Sequence, residues 1–592
     1  MEQHLLPYSY ACASIVLLIC IRLCYDLLLK PQRLRLKLRR QGIDGPKPSF
    51  MMGNIPEIKH MKSMVKLSEF SSDKWEQSPP LDTSSILFPH FNQWTKQYDP
   101  YLVKEINQCK SLDLGKPAYL QKDRGPLLGK GLITTNRGVW SHQRKTIAPQ
   151  LYMDKVKDML NIVVESASTL VKSWESVVES EGGTADIKVD DYVREFTSHV
   201  FSRITFGSNY SIGAELLPKC RALIKASESP TILNGLPFYR YLPTKKNRDL
   251  WRLEKEVHSM IIDTTKKLNG AVADDMIQVL MDGAKRGELG PSTPEKFIVD
   301  NCKDLYLAAF EVTAIATIWG LMLLASHPEW QARVRAEILE VCGGNMPDGE
   351  KLGKMKVLMM IYHINALLKA HISMSSNTRH RPSKHSFAGQ ASYAQSLPKH
   401  PMLGLGYQET IPHALTIIGS HVSAPSWMAT NVLSYIVKYD DQNLNFVGLM
   451  QLKMVIQEVL RLYPPVAFVS REALQDVKLG KLRIPKGVNI WIWLLALHQD
   501  PKLWGPEADK FNPARFANGI SGACTYPHAY APFGIGARIC PGQSLAMLEM
   551  KVILALILPN FSFSLSPNYC HAPHFGLLLE PKHGVNLLMR KI

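Results

Sequence analysis

A dense run of apolar residues opens the chain. From Tyr8 to Ile21 no charge interrupts it, and after Arg22 and Asp26 it resumes as Leu27, Leu28 and Leu29. Read as one helix, 5–29 is long enough to cross a bilayer core of about 30 Å at about 1.5 Å per residue. Arg22 stands near one end, where its long stem can carry the charge to the headgroups. Lys30, Arg33, Arg35, Lys37, Arg39 and Arg40 follow directly. That basic flank predicts a single-pass anchor with the rest of the chain cytosolic and the short N-terminus across the membrane. A cleaved signal peptide is the other reading of the run, but it carries its charge in front of the apolar stretch. Gly42, Gly45, Pro46, Pro48, Gly53 and Pro56 then alternate freedom with fixed φ, so 30–56 is predicted as a basic and Pro/Gly hinge.

Beyond the hinge the apolar positions recur mostly at three- and four-residue spacing, which predicts helices over 151–178, 189–206, 247–268 and 543–558. Strand-like runs are short and late, as in Val488-Asn489-Ile490-Trp491-Ile492-Trp493. The expected fold class is mainly α with small β-sheets, in one large domain over 57–592. No repeat of solenoid period is present.

Composition narrows the class. With 592 residues, 46% of them apolar and 20% charged, the chain can bury a large core, which excludes a disordered, collagen-like or small disulfide-stapled protein. A net charge of +17 favours negatively charged neighbours, whether phospholipid, an acidic protein or nucleic acid. Ten cysteines are scattered without a Cys-x-x-Cys pair or a zinc spacing, so reduced thiols are expected rather than a disulfide framework.

Phe533-Gly534-Ile535-Gly536-Ala537-Arg538-Ile539-Cys540-Pro541-Gly542 carries the chemistry. Its glycines allow a tight turn and a close approach to a flat ligand. Cys540 precedes a helical stretch, whose amide dipoles are expected to lower the thiol pKa and make a metal ligand of it. A buried structural cysteine in a glycine-rich turn is the plain alternative. The segment resembles the haem-binding loop of the cytochrome P-450 monooxygenases, and the resemblance runs through nearly the whole chain. Glu458-Val459-Leu460-Arg461 is similar to that family's Glu-x-x-Arg helix pair, and Phe511-Asn512-Pro513-Ala514-Arg515-Phe516 to the segment whose arginine locks onto it. A carboxylate between two guanidiniums makes a charge-assisted knot that fixes the loop. Trp140 with Arg144 resembles the family's propionate-binding helix, and Arg471 and Arg538 match two further propionate partners.

The resemblance implies a cytochrome P-450 fold holding haem b (iron protoporphyrin IX), with Cys540 as the axial iron ligand and Phe533 and Gly542 beside it. The thiolate ligand implies cleavage of the O–O bond and oxygen insertion into a lipophilic small molecule. Electrons from NADPH would come through a separate NADPH–cytochrome P-450 reductase, because the chain has no adequate Gly-rich dinucleotide motif. An acidic docking face on that partner suits the +17 charge. Membrane lipid is a further partner, nucleic acid is not, and the implied location is the endoplasmic reticulum membrane. The basic stretch 35–43 with Gly45-Pro46-Lys47-Pro48, Ser111 to Lys116, and Arg240 to Thr244 resemble a plant group that includes oxidases of gibberellins and related diterpenoid acids. Selectivity is expected in 116–137, 227–241, around Phe310 and near 573–577.

Several positions depart from the family pattern. Ala308-Ala309-Phe310-Glu311-Val312-Thr313 stands where the family has small-Gly-x-acid-Thr-Thr. Glu311 keeps the acid, but Val312 has the shape of threonine without its hydroxyl, and Thr313 lies about 100° further round the helix. Glu311 and Thr313 are nevertheless the candidate catalytic pair. Residues 360–452 are expected as an anomalous insertion, an unspliced or wrongly predicted segment. Its seven histidines from His363 to His421 fit no helix face that would hold a metal. Between Trp94 and Val103 the family's two-stranded hairpin is missing, which would expose a sheet edge. These departures leave two alternatives: a catalytically impaired haem-binding product of a faulty gene model, or a haem-thiolate isomerase or dehydratase.

Overall fold

A computed structural model describes residues 5–50, 52–69, 83–94, 100–109, 111–207, 211–228, 241–268, 275–287, 289–341 and 449–592. The chain divides into two compact units. One comprises Met1–Leu339, Met346–Leu352 and Met450–Ile592; the other comprises Glu340–Asn345 and Gly353–Leu449. Nearly all of the second unit, including residues 360–448 of the expected insertion and its histidines, lies outside the described residues, whereas 450–452 already belong to the helix Met450–Leu462 of the first unit. The first unit holds the N-terminal helices, the sheets and the cysteine loop.

The N-terminal run is helical well past the expected anchor. Helix Leu5–Cys24 passes through a π turn, Tyr25–Leu29, into helix Lys30–Arg39. The basic residues assigned to the hinge are therefore mostly helical, and irregular chain begins only after Arg39. Lys, Arg, Gln and Leu are strong helix formers, and Pro31 sits in the first turn of this segment, where the missing N–H costs least. Ile15, Val16, Leu17 and Leu18 are all more than half exposed, an apolar surface that water does not favour. Just beyond, the Gln41 side chain brackets the Arg483 backbone, donating to its carbonyl at 2.8 Å and accepting from its N–H at 2.7 Å. This ties the linker to the catalytic body.

That body is organised round one long helix, Pro294–Ser326, which passes through the core. A π turn, Leu307–Glu311, interrupts it. The helices Val189–Phe206, Met450–Leu462 and Gln543–Asn560 pack on it. The strands are short: β1 (Leu114–Gly115), β2 (Thr184–Lys188), β3 (Phe468–Ala473), β4 (Val477–Leu479), β5 (Leu482–Ile484), β6 (Asn489–Trp493), β7 (Phe561–Leu565), β8 (Pro573–Phe575), β9 (Leu579–Pro581) and β10 (Asn586–Lys591). They form sheets ordered β1-β3-β6 and β2-β10-β7, with β4-β5 and β8-β9 as pairs. All pairings are antiparallel; Val469, for example, stands opposite Ile492. The expected mainly α fold with small sheets is the one found. At the missing hairpin, residues 95–99 lie outside the described set. Helices Pro89–Trp94 and Pro100–Gln108 flank them, and β6 pairs only with β3 among the described residues.

Candidate active site

The Phe533–Gly542 segment closes on itself just before the helix Gln543–Asn560. Cys540 N–H donates to the Phe533 carbonyl at 2.8 Å, and Ile539 N–H to that of Gly536 at 3.1 Å. Gly534 and Gly536 have φ of +79° and +69°, the left-handed region open to glycine. At Gly536 a Cβ would also stand 3.0 Å from the Ile106 carbonyl oxygen. Asn107 Oδ1 accepts from the Gly536 N–H at 2.9 Å, pinning the turn. Gly542 caps the helix, and a Cβ there would meet Cys540 Sγ at 3.9 Å. Arg144, from helix Arg137–Ile147, donates to the Ile539 carbonyl at 2.7 Å.

The expected depression of the Cys540 pKa is not what this pocket produces. Burial pushes the thiol up, and only the Gly542 N–H and the Arg144 guanidinium pull it down. The helix begins three residues beyond the sulfur, so a single amide reaches it. A bound cation is what would hold this sulfur as thiolate.

Cations converge beside the loop. Arg471 donates to the carbonyls of Ser470 and Ile535 at 2.9 and 3.0 Å. Arg538 donates to the Thr135 carbonyl at 3.0 Å and to Asn136 Oδ1 at 2.8 Å, and its guanidinium stands 4.4 Å over the Trp140 ring. Its Nε is buried with no partner. Burial lowers the pKa of Arg471 to about 10; burial together with Arg471 lowers that of Arg538 to about 9. Sequence reading missed Lys116. Asn136 brackets its backbone, accepting from Lys116 N–H at 2.6 Å and donating to its carbonyl at 2.9 Å. Burial, then Arg471 and Arg538, drive the Lys116 pKa far down, with Asp304 pulling up. Its placement comes from strand pairing, since the preceding Gly115 lies opposite Glu472, next to Arg471.

Among the described residues none of these three cations has a carboxylate at ion-pair distance. Two arginines lining one space with Lys116 near them, an orphaned guanidinium N–H and a thiol in a glycine cradle fit a flat dianion that carries a metal. Haem matches that donor set. Cys540 would hold the iron, and Arg471, Arg538, Lys116 and Trp140 the propionates.

The knot behind the loop is fully formed. Arg461 donates to both Glu458 oxygens at 2.7 and 2.8 Å and to the carbonyls of His498, Ala508 and Lys510 at 2.7, 2.6 and 3.1 Å. Arg515 Nε meets Glu458 Oε1 at 3.3 Å, and the Asn512 N–H reaches the same oxygen at 2.9 Å. Both Glu458 and Arg461 are completely buried. Removing either partner would strand a charge in a dry interior.

The central helix supplies the other wall. From Asp300 to Ala325 every residue is buried except Ala308, Ala309 and Val312, which share one face. The structure turns Glu311 and Thr313 away from it. Glu311 is buried in an ion pair with Arg194 at 3.2 Å and approaches Arg221 at 3.6 Å. Thr313 is 2% exposed. Phe310 is buried too, against Tyr306 at 4.9 Å between ring centroids. Of the other selectivity stretches, 229–240 lie outside the described residues, and 573–575 form β8. The loop from Gly129 to Asn136 bonds the central helix through Ile133 and Arg538 through Thr135. One short loop therefore spans the open helix face and the cation cluster.

Comparison with known proteins agrees with this arrangement. The cytochrome P450 family model matches residues 44–365 and 442–588. The chain is 41% identical over 585 residues to cytochrome P450 714C2 of Oryza sativa subsp. japonica, covering 95% of this chain and 94% of the relative. It is 35% identical to cytochrome P450 714B2 of the same species, covering 95% and 92%. With cytochrome P450 714A2 of Arabidopsis thaliana it shares 34% identity, covering 93% and 92%.

Proposed function

The chain belongs to the cytochrome P450 family and is a monooxygenase of that family; from that premise we propose that it oxidises a gibberellin-like diterpenoid with electrons from NADPH, delivered by a separate membrane-bound reductase. Bound haem supplies dioxygen activation and oxygen insertion into a C–H bond or double bond. The chain's own residues provide the frame. Cys540, set by the Phe533–Gly542 turn, would hold the iron. Arg471, Arg538, Lys116 and Trp140 take the propionates, and Arg144 braces the loop from the side. Ala308, Ala309 and Val312 form the open face of the central helix, which would leave room for a lipophilic substrate. Anchor 5–29 carries the enzyme on the endoplasmic reticulum membrane with the catalytic body in the cytosol, and the net charge of +17 draws it to an acidic reductase face.

The observation that carries the reading is the thiol loop beside Arg471 and Arg538, which among the described residues have no carboxylate at ion-pair distance. Full-length protein, reduced under carbon monoxide, is expected to give the thiolate-type Soret band. Cys540→Ser is expected to lose it; an unchanged band in that variant overturns the reading. Turnover with NADPH, reductase and ent-kaurenoic acid then tests the substrate class. No oxidised product from that acid or from a gibberellin would remove the diterpenoid proposal while leaving the haem site intact.

A further inference from the structure

The loop Gly129–Asn136 is held against the central helix by far more than a connection requires. Side chains on adjoining turns of that helix take three of its backbone N–H groups. Asp300 Oδ2 accepts from Lys130 at 2.8 Å, Asn301 Oδ1 from Leu132 at 3.0 Å, and Asp304 Oδ2 from Ile133 at 2.7 Å. All three side chains are buried, where a hydrogen bond is stronger than in water. Asn301 is itself oriented by donating to the Phe297 carbonyl at 2.9 Å. Lys303 pairs with Asp300 at 3.1 Å and donates to the Pro126 carbonyl at 3.0 Å.

The fit leaves no slack. A Cβ at Gly131 would stand 2.7 Å from the Asp300 carbonyl oxygen, and one at Gly129, whose φ is +51°, would strike the Asp300 carboxylate. Within the loop Thr134 and Thr135 hydroxyls donate back to the carbonyls of Gly129 and Gly131 at 2.9 and 3.0 Å. Leu132 and Ile133 are its two large apolar side chains, and neither is fully buried. Asp304, which holds Ile133, stands one helical turn before Ala308 on the face that opens.

We infer that Asp300, Asn301 and Asp304 are positioning residues that fix Leu132 and Ile133 as a wall of the reaction chamber beside Ala308, Ala309 and Val312, and so set which ligand shapes it accepts. The inference rests on the haem-thiolate reading of the site. Haem-loaded, full-length protein is titrated with imidazole, which needs the iron alone, and with 1-dodecylimidazole, whose tail must lie along the chamber wall. Both are followed by the optical shift of nitrogen ligation. Asp304→Ala is expected to weaken the tailed ligand about fivefold or more while imidazole stays within about twofold. Asp304→Asn keeps an acceptor oxygen for Ile133 and is expected to restore near-wild-type binding. Ile133→Ala leaves the clamp in place and is expected to weaken the tailed ligand in the same sense.

An unchanged affinity ratio in both alanine variants overturns the inference, and so does an equal loss for the two ligands. Should Asp304→Ala yield no haem protein, the Ile133→Ala ratio decides alone. A wild-type protein that gives neither a thiolate-type carbon-monoxide band nor an imidazole shift overturns the haem reading instead.

Discussion

Val312 sets what the open face of the central helix can do with a proton. Its neighbours on that face, Ala308 and Ala309, carry no polar side-chain atom. Glu311 is tied to Arg194 at 3.2 Å and Thr313 is buried. No side chain there can hold a proton next to bound dioxygen, so reducing equivalents are expected to escape as hydrogen peroxide. Val312→Thr adds a hydroxyl at nearly constant shape. It is predicted to raise product formed per NADPH consumed by about twofold or more, a small part of what a well-placed proton donor can contribute. Equal coupling in wild type and variant sinks the idea. Lys116 offers a second test at this scale. Lys116→Met removes one of three clustered cations and is predicted to speed haem transfer to apomyoglobin about fivefold or more, since a desolvated charge-assisted bond is lost. An unchanged transfer rate would remove Lys116 from the propionate set.

At the scale of elements, the knot of Glu458, Arg461 and Arg515 joins the helix Met450–Leu462 to the chain that leads into the thiol loop. Arg461→Ala leaves the Glu458 carboxylate at zero exposure, with only the Asn512 N–H and the more distant Arg515 for relief. We predict a loss of about 3–5 kcal/mol, seen in urea unfolding and as a collapse in the yield of haem-loaded protein. Arg461→Lys should recover little, because an ammonium cannot reproduce the fork that serves both carboxylate oxygens and three carbonyls. Full stability in either variant would show that the knot is not needed. This knot and the helices round it were legible in sequence. Val189–Phe206 matches the apolar period at both ends, and 543–558 and 488–493 fall within two residues of the helix and strand found. The helix expected over 151–178 breaks instead at Met159, between Met153–Asp158 and Leu160–Ser180, with neither glycine nor proline to mark it. The π turn at Leu307–Glu311, the cation Lys116 and the clamp on the Gly129–Asn136 loop were equally silent. Each depends on which distant segments meet, and a one-dimensional period carries no record of that.

Across the whole molecule, acid stability is set by histidines buried in separate parts of the core. His498 accepts the Ala531 N–H on Nε2 at 3.1 Å, so protonation there breaks the bond. Burial, reinforced by Arg461, lowers its pKa to about 3. His571 lies between the hydroxyls of Tyr463 and Tyr569 at 3.2 and 2.7 Å, and burial lowers it to about 4; burial and Lys62 bring His90 to about 4. The unfolded chain takes up these protons near pH about 6.5 while the folded protein does not, so stability is complete above that value and falls as pH drops towards 4. Each unit of separation is about 1.4 kcal/mol per site at full effect. Two buried carboxyls act in the opposite sense: burial raises the pKa of Asp304 and Glu549. Their folded forms are already protonated above about pH 5 while the unfolded forms are not, so they offset the histidines in the upper part of the window and cease to do so as the unfolded carboxyls protonate near pH about 4. The melting temperature is therefore predicted to fall little near pH about 6.5 and most steeply between about 5 and 4. His498→Gln, which keeps an acceptor for Ala531 but cannot titrate, should flatten the fall between about pH 5 and 4. A wild-type melting temperature that stays constant from about pH 5 to 4, where the carboxyl offset fades, would mean that these histidines are already charged in the folded protein, and the neutral assignment would fail for all three together.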